Sequence, residues 1–160
     1  MSEIDWLALG IFIVVNFAAA SSGAIFKPGA WYEALKKPSW TPPNWAFPVV
    51  WTTLFAANAW SGYLVWQAAG PDAALALTAY GISLVFNAIW SFLFFGLRRL
   101  DLGMAEVVAL WASIAVVLVL FVPYSQTAAL LQVPYLAWVT LAGVLNLRLL
   151  QLNGPRGEQA

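Results

Sequence analysis

The chain has 160 residues, of which 62% are hydrophobic and 9% charged, against about 25% charged in an ordinary soluble domain. Seven basic residues balance seven acidic ones, so the basic footprint that a nucleic-acid partner requires is absent. With no cysteine and no histidine, a disulfide framework, a thiolate nucleophile, the commonest metal ligands and a His- or Cys-ligated haem are excluded; neither a metal nor a resident cofactor is expected.

A bilayer crossing takes about 20 mostly apolar residues, and five stretches qualify: 4–26, 47–69, 73–97, 102–122 and 128–150. The first begins behind Glu3 and Asp5. Ala18-Ala19-Ala20 resembles a signal-peptide cleavage site, but an acidic start without Lys or Arg is the wrong charge for one. A loop, 27–46, follows, and it holds Pro28, Pro38, Pro42 and Pro43. The later spans are parted by Gly70-Pro71-Asp72, by Arg98-Arg99-Leu100-Asp101 and by the stretch from Pro123 to Thr127, each a turn signal. The segments are too long, and alternate too little, for barrel strands. The expected architecture is all-α: one integral membrane domain, 1–160, of five transmembrane helices. Lys27, Lys36, Lys37, Arg98, Arg99, Arg148 and Arg156 all fall on the side shared by the first loop, the third loop and the C-terminus. The positive-inside rule then places the N-terminus out and the C-terminus in.

Ten tryptophans are unusual in a chain this short. An interfacial belt accounts for Trp6 and Trp66 on one side and for Trp31, Trp40 and Trp45 on the other. Trp60, Trp90, Trp111 and Trp138 lie well inside spans, and Trp51 is intermediate. At 1.5 Å per residue from the inner edge, Trp51, Trp90, Trp111, Asn87, Trp138 and Ala142 lie at about 6, 10, 13, 15, 18 and 12 Å. They share the inner half of the membrane, beneath the stiff first loop. Two readings stand side by side: a pocket open inward under a lid, and plain helix-to-helix packing.

Two further polar features stand within the spans. Glu106 is expected to snorkel or to pair at the inner edge near Arg98 and Arg99. Ala79, Ser83, Asn87 and Ser91 form a row of small and polar residues on the third span, suited to close approach of helices, whether in a homodimer seam or within one chain.

The segment Trp31-Tyr32-Glu33-Ala34-Leu35-Lys36-Lys37-Pro38-Ser39-Trp40-Thr41-Pro42-Pro43-Asn44-Trp45, continuing to Pro48 and Trp51, resembles the pattern of the tryptophan-rich sensory protein / translocator protein family (TspO/MBR), also called peripheral-type benzodiazepine receptors. Asn87, Trp90, Phe94, Phe95, Gly96 and Arg98 match a second block, and Pro134, Tyr135, Trp138, Ala142, Leu145 and Asn146 a third. The cholesterol-recognition stretch of animal members is missing: Leu147 and Gln151 stand at its tyrosine and arginine positions, which points to a bacterial-type member. The resemblance implies a five-helix receptor or sensor for tetrapyrroles (protoporphyrin, haem), sterol-like lipids and benzodiazepine-type drugs. By matching position its ligand-binding residues are Tyr32, Trp51, Asn87, Trp90, Trp138 and Ala142. It also implies two alternatives, a light-dependent protoporphyrin-degrading enzyme using Trp51 and Trp138, and a porphyrin or sterol transporter. The expected partners are a hydrophobic small molecule, the bilayer and a second copy through the third helix. Helical spans favour a bacterial cell membrane over an outer membrane.

Overall fold

The computed structural model describes residues 4–158 and is all-helical there; Glu3, part of the acidic start, lies outside them. In chain order the elements are α1 (Trp6–Ile25), the short α2 (Ala30–Ala34), α3 (Ala46–Ala69), α4 (Ala74–Ser91), α5 (Leu100–Phe121) and α6 (Gln126–Asn153). A 3-10 turn, Gly70–Ala73, joins α3 to α4, and a π-turn, Phe92–Gly96, ends α4.

Four helical runs are long and apolar enough to cross a membrane, and one of them, Ala46–Gly96, is 51 residues long. Straight, it would reach about 76 Å, far beyond any bilayer core. It is folded in two instead. Gly70 has φ +51°, a conformation open chiefly to glycine, and the chain reverses there. The Tyr80 hydroxyl donates to the Asn58 carbonyl at 3.1 Å across 22 residues of sequence, which only antiparallel helices allow. The four runs thus give five long rods.

These rods close a ring in the order α1–α3–α6–α5–α4, each packed on the next and α4 back on α1. Cross-links differ at the two ends. At the end holding the α3–α4 turn, Asp5 caps α1 by accepting from the Ala8 amide at 3.0 Å, and its own N–H donates to the Tyr63 hydroxyl at 3.0 Å. Ser125 caps α6 by accepting from Ala128 N–H. Gly62 lets α1 lie close on α3, since a Cβ there would stand 2.7 Å from the Phe12 ring. Outward-facing Ile11, Val14, Phe17, Val108, Val119 and Leu130 are exposed, an apolar belt of the kind lipid covers.

Between the rods runs a buried polar network. Asn16 Nδ2 donates to the Tyr80 hydroxyl, and Asn58 Nδ2 to Asn16 Oδ1 at 2.9 Å. Gln132 Nε2 donates to Asn58 Oδ1 at 2.8 Å and to Ser61 Oγ at 2.9 Å. Ser61 Oγ in turn donates to the Ala128 carbonyl at 2.8 Å. Four helices, α1, α3, α4 and α6, are joined in one chain of bonds.

One sequence expectation is corrected by the structure, and one open alternative is narrowed. Glu106 neither snorkels nor pairs: it is 8% exposed and its carboxyl makes no hydrogen bond among the described residues. Arg99 is committed to Asp101 at 2.5 Å, and Glu106 lies on the same buried side of α5 as Gly103, Val107 and Leu110. The row on α4 faces its own bundle, because Ser83, Asn87 and Ser91 are buried. A second copy meeting this helix would touch Leu75, Ile82, Val85 and Ile89 instead, which are exposed.

Replacing Asn58 by Ala leaves Asn16 and Gln132 short of a partner. With interhelical bonds worth roughly 0.6–2 kcal/mol each in membranes, Asn58→Ala is expected to cost about 2 kcal/mol and lower the melting temperature in detergent. Thr53→Ala, at an exposed position on the same helix, should stay within about 0.5 kcal/mol of the parent. Equal melting of the two variants would mean that the network does not hold the bundle.

Candidate functional site

The first loop is pinned across the other end of the ring. Asn153, fully buried at the end of α6, accepts from the Lys36 N–H through Oδ1 at 2.8 Å and donates from Nδ2 to the Lys36 carbonyl at 2.9 Å. Trp31 Nε1 donates to the Arg156 carbonyl at 3.1 Å. Within the loop, Asn44 donates to Glu33 Oε1 at 2.7 Å, and the Pro38 carbonyl accepts from the Thr41 amide and hydroxyl. The prolines restrict φ, so the loop has few alternatives to this fold. Gly157, at φ +75°, brings the C-terminal tail onto Trp31 and Leu35 at 2.7–3.5 Å of a built Cβ.

Beneath this cover lies a cavity of about 510 Å³ bounded by α1, α3, α4 and the loop, inside the range of about 300–1,000 Å³ typical of small-molecule sites. Its space comes from α1, which presents Ala20, Ser22, Gly23 and Ala24 to it. A Cβ on Gly23 would meet nothing nearer than Ser91 Oγ at 4.0 Å. Opposite stand aromatic residues: Trp51 and Phe55 from α3, Trp90 from α4, and Phe95 from the π-turn. Trp51 and Phe55 lie 5.6 Å apart at 30°, and Trp90 stacks on Phe94 at 5.0 Å.

A few polar groups converge on this apolar wall. Asn87 Nδ2 donates to the Tyr135 hydroxyl at 2.8 Å, which fixes the amide, and no donor among the described residues reaches its Oδ1. Trp90 Nε1 is buried and without a partner among them. Unpaired, such a donor costs free energy. Tyr32, 3% exposed, comes down from α2 with its ring against Phe95 at 5.6 Å and beneath Lys37 Nζ at 4.8 Å. Burial, and then the charge of Glu33, push its phenol up to about 12. It is therefore a neutral hydroxyl, able to donate, throughout the physiological range.

Of the six sequence candidates the structure brings Tyr32, Trp51, Asn87 and Trp90 to one cavity. Trp138 and Ala142 lie outside its lining. Trp138 stands behind Trp51, ring centroids 6.5 Å apart and planes at 88°, with Phe47 against its other side at 5.8 Å. It supports the wall without forming it. Ala142 is half-buried on α6, and α6 contributes no residue to the lining. Trp60 and Trp111, each 42% exposed, face outward; Trp111 Nε1 is satisfied by Thr140 Oγ1 at 2.8 Å. Sequence reasoning missed the α1 wall and the aromatic residues Phe47, Phe55 and Phe95. The run Ala18-Ala19-Ala20-Ser21-Ser22-Gly23-Ala24 was a usable signal, since so many small residues in a span mark either close packing or open space.

The description of one protein family, TspO/MBR, matches residues 10–152. Protein CrtK of Rhodobacter capsulatus is 43% identical over 145 residues, covering 89% of this chain and 91% of its own. The tryptophan-rich sensory protein of Cereibacter sphaeroides is 37% identical over 156 residues, 98% of each chain. A translocator protein of Bos taurus is 35% identical over 129 residues, 79% of this chain and 76% of its own. With a family match over nearly all of its length and relatives from bacteria to cattle, this chain is an integral membrane protein belonging to the TspO/MBR family.

Proposed function

We propose that the chain is a receptor that binds a flat, largely apolar ligand, a tetrapyrrole such as protoporphyrin or haem or a sterol-like or drug-like molecule, in the cavity beneath the first loop. The observation that carries this reading is the lining itself. Trp51, Trp90 and Phe95 offer aromatic faces and edges suited to offset stacking on a planar ring. Asn87, a polar group able to orient a ligand, stands in the same wall as Trp90, and its Oδ1 accepts from no donor among the described residues. Lys27 at the mouth gives a carboxylate-bearing ligand a cation to face. The one carboxylate in the lining, Glu33, is bonded to Asn44. What the cavity offers is recognition chemistry.

The same reading sets the chain in the membrane. The ends of α1 and α4, the first loop and the C-terminal tail gather at one end of the ring, and Lys27, Lys36, Lys37, Arg98, Arg99 and Arg156 gather with them. Five crossings with that end on the cytoplasmic side, N-terminus out and C-terminus in, satisfy the positive-inside rule.

Reception is favoured over passage through the ring. The Asn16–Tyr80–Asn58–Gln132 network lies on the far side of the cavity and ties together four of the five rods. A ligand moving along the axis would have to break it.

The binding test is titration of the detergent-purified chain with protoporphyrin, followed by quenching of tryptophan fluorescence. Saturable quenching is expected, with the dissociation constant raised about tenfold in Trp90→Phe and in Asn87→Ala, the loss of one buried hydrogen bond. Linear quenching that neither variant alters would leave only partition into detergent and end the tetrapyrrole reading.

A pH dependence follows from Tyr32. Its folded-state value of about 12 exceeds the ordinary tyrosine value of about 10, so the folded lid holds a proton that the open loop releases first. The contribution is complete below pH 10 and is lost as pH rises from 10 toward 12. Ligand affinity should be level up to about pH 10 and then fall, and Tyr32→Phe should remove that fall. A decline of equal steepness in Tyr32→Phe would assign it to another group.

A further inference from the structure

Outside the cavity just described, the first loop and the end of α4 enclose a second hollow, of about 460 Å³. It is lined by Lys27, Gly29, Ala30, Trp31, Phe95 and Arg98. Two cations and, among the described residues, no carboxylate face it. Among the described residues neither cation has an ion-pair partner, whereas their neighbours are engaged. Arg99 holds Asp101, and Lys37 Nζ donates to the carbonyls of Glu33 and Leu35.

The backbone beneath Arg98 gives an independent indication. Arg98 has φ +54° and is the only non-glycine residue with positive φ among those described. It occupies the left-handed position at which helices usually stop on glycine. The stop is closed around it: Leu97 N–H donates to the Phe92 carbonyl at 2.8 Å and Arg99 N–H to the Leu93 carbonyl at 3.1 Å. Glycine would meet that backbone requirement at lower cost. An arginine held in a sparsely populated conformation at an element's end directs attention to its side chain.

We propose that Lys27 and Arg98 together hold an anionic phosphate group in this hollow. The fork of a guanidinium and the point charge of an ammonium suit a group with several anionic oxygens. Trp31 and Phe95 flank it with the amphipathic and apolar surfaces that meet lipid at the headgroup level. The hollow lies at the rim of the ring, where a phospholipid presents its phosphate, although a free phosphate ester has the same chemistry. Lys27 and Phe95 line both hollows, so an anion held here stands beside the mouth of the larger cavity. The proposal rests on membrane placement and not on which ligand fills that cavity.

The test uses the full chain, delipidated in an uncharged detergent, with binding read by native mass spectrometry and calorimetry. The probes are short-chain phosphatidylglycerol, phosphatidylcholine of equal chain length, and inorganic phosphate. Saturable uptake of one phosphatidylglycerol is expected, weakened about tenfold in Arg98→Gly and in Lys27→Gln and weakened by salt. Phosphatidylcholine should bind far more weakly. Arg98→Gly should melt at or above the parent, because glycine relieves the left-handed backbone, so its loss of binding cannot be ascribed to unfolding. Inorganic phosphate competing at equal affinity would support the site and assign it to free anions; failure to compete would support it and assign it to the lipid. Equal binding of the two lipids, unchanged binding in both variants, or a lower melting temperature for Arg98→Gly would overturn it.

Discussion

Asn58 uses its side-chain donor and acceptor, and its backbone carbonyl, on three different helices. Lipid tails are as apolar as leucine, so burial of apolar surface does little to draw membrane helices together. Packing and hydrogen bonds must hold them, and in this chain the bonds are concentrated where Asn16, Asn58, Tyr80, Gln132 and Ser61 meet. With that end locked by polar bonds and by close approach at Gly62, the other end of the ring can remain open around a cavity. The position of the site thus depends on a network that does not touch it.

The open end is held in a different way. There the rods are bridged by the loop and the tail, and the bridge turns on Asn153, which satisfies both backbone groups of Lys36. A side chain acting on a backbone in this manner needs the loop at one register, which the prolines restrict in advance. Opening the lid requires breaking two half-buried bonds and the Trp31–Arg156 contact. The core beneath can stay as it is. A stiff cover on a rigid ring separates access to the cavity from the stability of the bundle.

Helical class, membrane-crossing character and family could be read in the sequence because hydropathy, breakers and the Trp/Pro-rich loop each report on the chain directly. Facing direction could not be read so directly. In a soluble helix the apolar stripe marks the inner face; in α5 both faces are apolar, so Trp111 looked as interior as Trp90 although it turns outward. Depth along a helix was computable from residue number, and it brought Trp138 to the level of the site without showing that Trp51 stands between it and the cavity. The polar residues were the better guide to azimuth, since an intramembrane Asn or Gln is costly unless it faces a partner. Asn16, Asn58 and Gln132 marked the interior sides of α1, α3 and α6 and were passed over, whereas Asn87, read in that way, lines the cavity.

The same logic separates Arg98 from Arg99, which the sequence presents as a pair of topology-setting charges. Their identities are equal and their backbones are not. Arg99 is extended and closes a two-residue ion pair with Asp101, whose partial exposure limits what the pair contributes. The bond to Asp101 raises its already high affinity for the proton, so its charge is fixed and locally spent. Arg98 is left-handed, has no ion-pair partner among the described residues and lines a hollow that Lys27 shares. Positive charge on this side of a membrane needs only to exist in order to set topology. It does not need a shape. A cation that occupies a left-handed position and lines one hollow with a second cation, Trp31 and Phe95 has a shape, and an anion held there would offset the charge of both.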